Sequence, residues 1–158
     1  VTDYQTQAAV EPSEWTLYFP YATNPLSLNG PRGRHYLKNQ WVKRVRNETI
    51  AYIRQAGIPP LGRARAGLIW FVLTSNRRDV DNLAPLEKVM FDAMVRAGLV
   101  PDDTPDLLEK LRPQIVTVDR MTHREAWMEL RITRWDGAAT QPAPTTTGYV
   151  QSTITKES

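Results

Sequence analysis

The chain has 158 residues, of which 41% are hydrophobic and 23% charged, with a formal net charge of +3. That is enough apolar material for one core, while no apolar run reaches the roughly 20 residues of a membrane span, and residues 1–10 lack the basic start and apolar stretch of a secretion signal. There is no cysteine, which excludes disulfides, thiolate catalysis and zinc–thiolate sites and leads us to expect a cytoplasmic protein.

The first predicted element is a strand over Trp15–Tyr21, closed by Asn24 and Pro25. A loop over Asn24–Gly33 follows. The first helix is expected over His35–Ala56, with Trp41, Val45, Thr49, Tyr52 and Ala56 recurring at helical spacing. Gly57 caps it, and Pro59–Pro60 prevents its continuation. Ala64–Thr74 is the strongest strand signal. Its apolar run Leu68–Leu73 suits a sheet covered at least in part on both faces. Asp79–Asp81 is expected to continue extended. Pro85–Ala97 reads as the second helix, with Pro85 in its first turn and Gly98 as its C-terminal cap. Ile115–Arg120 and Glu125–Thr133 alternate as the arms of a hairpin, joined through Met121–Arg124. The order β–α–β–α–β–β predicts an α+β fold, a small mixed sheet with two helices packed on it. One domain is expected over 1–135. Residues 136–158, rich in Ala, Thr, Pro, Gln and Ser, are expected to be a flexible polar tail with at most a stray strand near Tyr149–Ile154.

Charge is unevenly spread. Pro31–Arg65 holds nine cations against Glu48 alone, and Asp79–Glu109 holds eight acids against Lys88 and Arg96. A basic block beside an acidic one suits a polyanion held by cations and cut at a metal held by carboxylates. Two ordinary solvated faces would account for the same charges equally well.

The acids that carry chemistry follow the central strand, in Arg77-Arg78-Asp79-Val80-Asp81-Asn82-Leu83. In extended backbone, side chains two apart share a face, with Cα atoms about 6.5–7 Å apart. Two carboxylates so placed repel each other, and a divalent cation that binds both removes the repulsion. Magnesium takes hard oxygen ligands of this kind. A third carboxylate is sought in the turn after the second helix, where Asp102 and Asp103 are neighbours and either is eligible. Lys88 stands four residues before Asp92, and Asp92 four before Arg96. That spacing suits a solvated ladder of ion pairs, or alternatively a cation beside a scissile phosphate.

The run Arg77–Leu83, with Lys88, Asp92-Ala93, Ala97-Gly98 and Asp102-Asp103 after it, resembles the signature of the RusA family of Holliday-junction resolvases, found in bacteria and their phages. Tyr18-Phe19-Pro20 and Thr23-Asn24 resemble that family's first strand and the loop after it. The resemblance covers about Trp15 to Trp135. It implies a small α+β homodimer that cuts four-way DNA junctions with Mg2+, for which Mn2+ would substitute. Asp79, Asp81 and Asp103 match the family's metal-holding aspartates, and Lys88 matches its lysine by spacing to Asp92. The chain departs from the family in one respect: Lys88 follows Asp81 by seven residues instead of four. Arg32, Arg34, Lys38, Lys43, Arg77 and Arg78 are the candidates for contacts to the DNA backbone. Trp41 and Trp127 are candidates for stacking on unpaired bases, with core packing the simpler role for Trp41. Two competing readings are a non-catalytic DNA-binding module and a metal-dependent nucleotide phosphohydrolase.

Overall fold

The structure, a computed structural model, describes residues 11–27 and 35–138. Arg32, Arg34 and the segment 139–158, including the stray strand expected near Tyr149–Ile154, lie outside the described residues. The elements are β1 (Glu14–Phe19), α1 (His35–Gln55), β2 (Ala64–Val72), a 3-10 turn (Val80–Leu83), α2 (Ala84–Arg96), β3 (Leu108–Lys110), β4 (Gln114–Thr117) and β5 (Trp127–Arg134). This is the expected α+β fold with a mixed sheet and two helices, plus one short strand, β3.

β2 is the centre of the sheet. On one side it pairs antiparallel with β5, which in turn pairs antiparallel with β1. Along its other side β3 and then β4 lie parallel to it, opposite Ala64–Ala66 and Ile69–Val72 respectively. Parallel strands need a long crossover, and α2 supplies it between β2 and β3. The alternation of β1, β2 and β5 sends Leu17, Phe19, Ala66, Leu68, Met128, Leu130 and Ile132 to one face, where all are buried. Both helices pack on that face and join the same core cluster. α1 contributes Val45 and Ile53, with the Thr49 hydroxyl donating to the Val45 carbonyl at 2.7 Å so that it is buried without an unmet hydrogen bond. α2 contributes Leu86, Val89, Met90, Phe91, Ala93 and Met94.

Gly57 and Gly98 end the helices with φ of 65° and 80°, a left-handed conformation that favours glycine. At Gly98 the chain makes a paired cap. Gly98 N–H donates to Val95 O at 3.0 Å and Leu99 N–H to Met94 O at 3.0 Å. Leu99 O then accepts from both Leu61 N–H and Gly62 N–H, at 2.8 and 3.1 Å. α2 therefore returns the chain to the beginning of β2.

Two expectations are corrected. Ile115–Arg120 and Glu125–Thr133 do not pair as a hairpin, because β4 and β5 lie on opposite sides of β2. β4 finds its hydrogen bonds in the parallel edge of β2, and the chain then crosses the end of β2 to reach β5. The segment Asp79–Asp81 is extended only at Asp79, with φ −90° and ψ 119°; Val80 already begins the 3-10 turn.

Candidate functional site

The family-like run folds into a compact turn at the C-terminal end of β2. Arg78 is anchored there by four contacts. Its Nη1 donates to Thr74 O at 2.8 Å and to Asn76 O at 3.1 Å, its Nη2 meets Thr74 Oγ1 at 2.8 Å, and its guanidinium carbon lies 5.3 Å from the centre of the Trp70 ring. A planar guanidinium stacks on an aromatic face in this way. Asp79 caps the 3-10 turn, with Oδ1 accepting from Asp81 N–H at 3.0 Å, as short acidic side chains do at N-caps. Asn24, from the β1–α1 loop, staples that loop to the turn. Its Nδ2 donates to Asn82 O at 2.8 Å, and its Oδ1 accepts from Leu26 N–H at 3.0 Å.

Between these segments lies a cleft of about 790 Å³. One wall is the turn, with Arg77, Arg78, Asp79, Val80, Asn82 and Leu83. The others are Thr23, Asn24 and Ser27 from the β1–α1 loop, Trp70 from β2 and Arg112 from the β3–β4 connection. Three arginines face one acid, Asp79. The volume is in the range of small-molecule sites, and the charge balance suits an anion. The Trp70 indole N–H, buried at this site, has no hydrogen-bond partner among the described residues.

The expected three-carboxylate centre is not assembled. Among the described residues, no group of three or more His, Cys, Asp or Glu side chains is placed to hold a metal ion. The reason lies in the topology. The chain after α2 returns to the beginning of β2, while Asp79 and Asp81 follow its end. Asp103 Oδ2 is engaged by Lys110 Nζ at 2.9 Å, and Lys110 pairs with Ala66 in the first half of β2. That contact holds the Asp103 carboxyl below its ordinary range, with a smaller contribution from Lys88 in the same direction. Asp102 is exposed on the same loop, its Oδ1 accepting from Asp103 N–H at 2.8 Å.

The other predicted site residues are spread over the surface. Arg77 and Arg78 line the cleft, but Lys88 does not. The ladder that its spacing suggested is not formed, since neither Lys88–Asp92 nor Asp92–Arg96 makes an ion pair. Lys38 and Lys43 are exposed on α1. Trp127 is stacked on Phe71, with ring centres 4.6 Å apart and planes 12° from parallel, and His123 lies 4.7 Å away. Trp41 packs edge-on against Tyr21 at 6.4 Å and carries Arg44 over its ring at 4.8 Å.

Reading the sequence did not single out Glu87, Lys110 or Arg112. Glu87 is 8% exposed on α2 and its Oε1 has no partner among the described residues. Burial pushes its carboxyl up to about 7, against the opposing pull of a hydrogen bond at Leu68 and the charge of Lys110. The signal was present: Glu87 stands three residues before Met90 and four before Phe91, on the apolar face. For Lys110 and Arg112, which sit on a short strand and the connection after it, no spacing in the sequence marks a role.

No protein-family model matches the chain, and no curated protein matches it. One solved structure, a crystal structure of a HypE–HypF complex, is similar to it at 14% identity and a TM-score of 0.34, over 76% of this chain and 32% of that chain. The chain thus spans about a third of that protein, and a likeness of this strength carries neither fold nor function. Among the described residues, no helix is long and apolar enough to cross a membrane.

Proposed function

We propose that this protein is a structure-selective DNA endonuclease of the Holliday-junction-resolvase type, working as a cytoplasmic homodimer on four-way junctions. The observation that carries the reading is local. The run that resembles the RusA signature forms one wall of the arginine-lined cleft, so that Arg77 and Arg78 stand on the same wall as Asp79. Arginine suits phosphate oxygens because its fork of N–H donors matches them. Such contacts position a strand without reading its sequence, as a junction-selective enzyme requires.

Magnesium is the cofactor this reading calls for. An ion of that kind is commonly held by one or two carboxylates together with waters and substrate phosphate. Asp79 and Asp81, on one turn, fit that habit in donor chemistry. Asp103 does not join them, because α2 delivers its loop to the beginning of β2, where it pairs with Lys110. Bound by Asp79 and Asp81, the ion would lower the pKa of a water and neutralise phosphate charge. The chain's own part is to hold the strand with Arg77 and Arg78 and to keep the Asp79–Asp81 turn rigid through Asn24. A homodimer would present two such sites to the two strands of a near-symmetric junction.

One observation favours a second reading, a DNA-binding module without catalysis: the third carboxylate is committed to Lys110. A side-by-side assay separates the readings. A labelled four-way junction, a linear duplex and a nucleoside triphosphate are each incubated with the protein in magnesium or in chelator. Paired nicks in the junction alone, only with magnesium, support the nuclease. Binding without nicks supports the module, and hydrolysis of the triphosphate would favour a nucleotide phosphohydrolase.

A further inference from the structure

We propose that Arg112 is a phosphate-binding residue, supplied to the cleft from the β3–β4 connection, and that it clamps the sugar-phosphate backbone of the bound strand. The inference rests on the nucleic-acid reading above and extends it to a residue outside the family-like run.

Arg112 is exposed and lines the cleft together with Arg77 and Arg78. Its guanidinium has no acidic partner among the described residues, and the same holds for Arg77. Arg65, on the same sheet, is instead committed to Glu109. An arginine without a carboxylate, facing a cleft that holds one acid, keeps its donors for an incoming anion.

The backbone beneath Arg112 is fixed. Leu111 N–H donates to Ala66 O at 2.8 Å. The Leu111 side chain sits so close over Gly67 that a Cβ added there would meet its Cβ at 3.0 Å. Pro113 then limits the chain before β4 pairs with β2. Arg112 is thus held between two strand segments on the same edge of β2. The turn that carries Arg77 and Arg78 is fixed as well, by Asn24 and by the Arg78–Trp70 stack. Guanidinium groups on two rigid walls of a cleft this size suit a sugar-phosphate segment better than a lone small anion.

The test is binding of a fluorescently labelled four-way junction by the full chain, in chelator, from about 50 to 200 mM salt. Arg112→Gln is compared with Arg112→Lys and with Arg96→Gln, which removes the same charge outside the cleft. Arg112→Gln is expected to weaken binding about tenfold and to reduce the salt slope by about one. Arg112→Lys should recover part of the loss, and Arg96→Gln should change little. Equal loss for Arg112→Gln and Arg96→Gln would reduce the effect to net charge and overturn the proposal, as would unchanged binding by Arg112→Gln. If the wild-type chain binds no DNA, this proposal and the nuclease reading fall together. If it binds but does not cut, Arg112 is still judged by its own salt slope. Thermal melting of each variant verifies that the fold is intact.

Discussion

Lys110 Nζ lies 2.9 Å from Asp103 Oδ2, pairing the third expected metal ligand at the beginning of β2, while Asp79 and Asp81 follow its end. The lysine is not a simple surface cation. Its ammonium also lies 5.7 Å from the centre of the Phe91 ring and pulls on the buried Glu87 carboxyl. It links the turn after α2 to the face of that helix through one charged group.

Replacing Lys110 with Met should therefore free Asp103. Both partners are around 40% exposed, at 42% and 38%, so the pair contributes at most about 1 kcal/mol to stability. What the pair does contribute is present above the carboxyl's unfolded pKa and fades as pH falls through its lower folded one. In a carboxyl-detected NMR titration, Asp103 should titrate below its ordinary value in the wild type and move back up in Lys110→Met. If it does not move, the pairing is absent in solution.

Glu87 predicts a pH dependence of stability. Its folded carboxyl, near 7, lies above the ordinary value of 4.5. A raised carboxyl favours folding while both states are protonated, below about 4.5, and this advantage is lost as pH rises through 7. The full difference corresponds to about 3 kcal/mol. Glu87→Gln removes the titration and retains the shape. Urea unfolding should show the variant more stable than the wild type at pH 8, by up to about 3 kcal/mol, with the gap closing toward pH 5. Parallel stability curves for the two proteins would contradict the burial of this carboxyl.

Asn24 predicts a coupling between the β1–α1 loop and the Asp79–Asn82 turn. Asn24→Ala leaves Asn82 O and Leu26 N–H without their side-chain partner, which should cost about 1–2 kcal/mol in chemical denaturation. Amide exchange should also quicken at Leu26 and Asn82. Protection unchanged at both positions would show that the loop holds without the staple.

Gly67 predicts a steric limit beneath Arg112. Gly67→Val brings its Cβ within 3.0 Å of Leu111 Cβ and should destabilise the protein by about 1–3 kcal/mol. Calorimetric melting measures this directly. A variant as stable as the wild type would mean that the β3–β4 connection can shift freely.

The fold was legible in the sequence where periodicity is long. The 21 residues of α1 and the apolar run of β2 each carry a strong local pattern. β3 is three residues long and has no pattern to read. β4 and β5 do alternate as strands, but alternation says nothing about partner: each found β2, on opposite sides, and the hairpin reading failed for that reason. At the site, Asp79 is extended as its place after β2 suggests, but the turn begins already at Val80, because a short acidic residue serves both a strand end and an N-cap. The place of Asp103 depends on where α2 delivers the chain. That is a tertiary fact set by the Leu99 hydrogen bonds to Leu61 and Gly62, and no spacing between residues 81 and 103 encodes it.

The most direct test is cleavage of a labelled four-way junction in magnesium by the wild type, Asp79→Asn and Asp81→Asn, with junction binding measured on the same samples. The account predicts paired nicks by the wild type, and binding retained but cleavage reduced about 100-fold or more in each variant. Cleavage at wild-type rates by Asp79→Asn would contradict it.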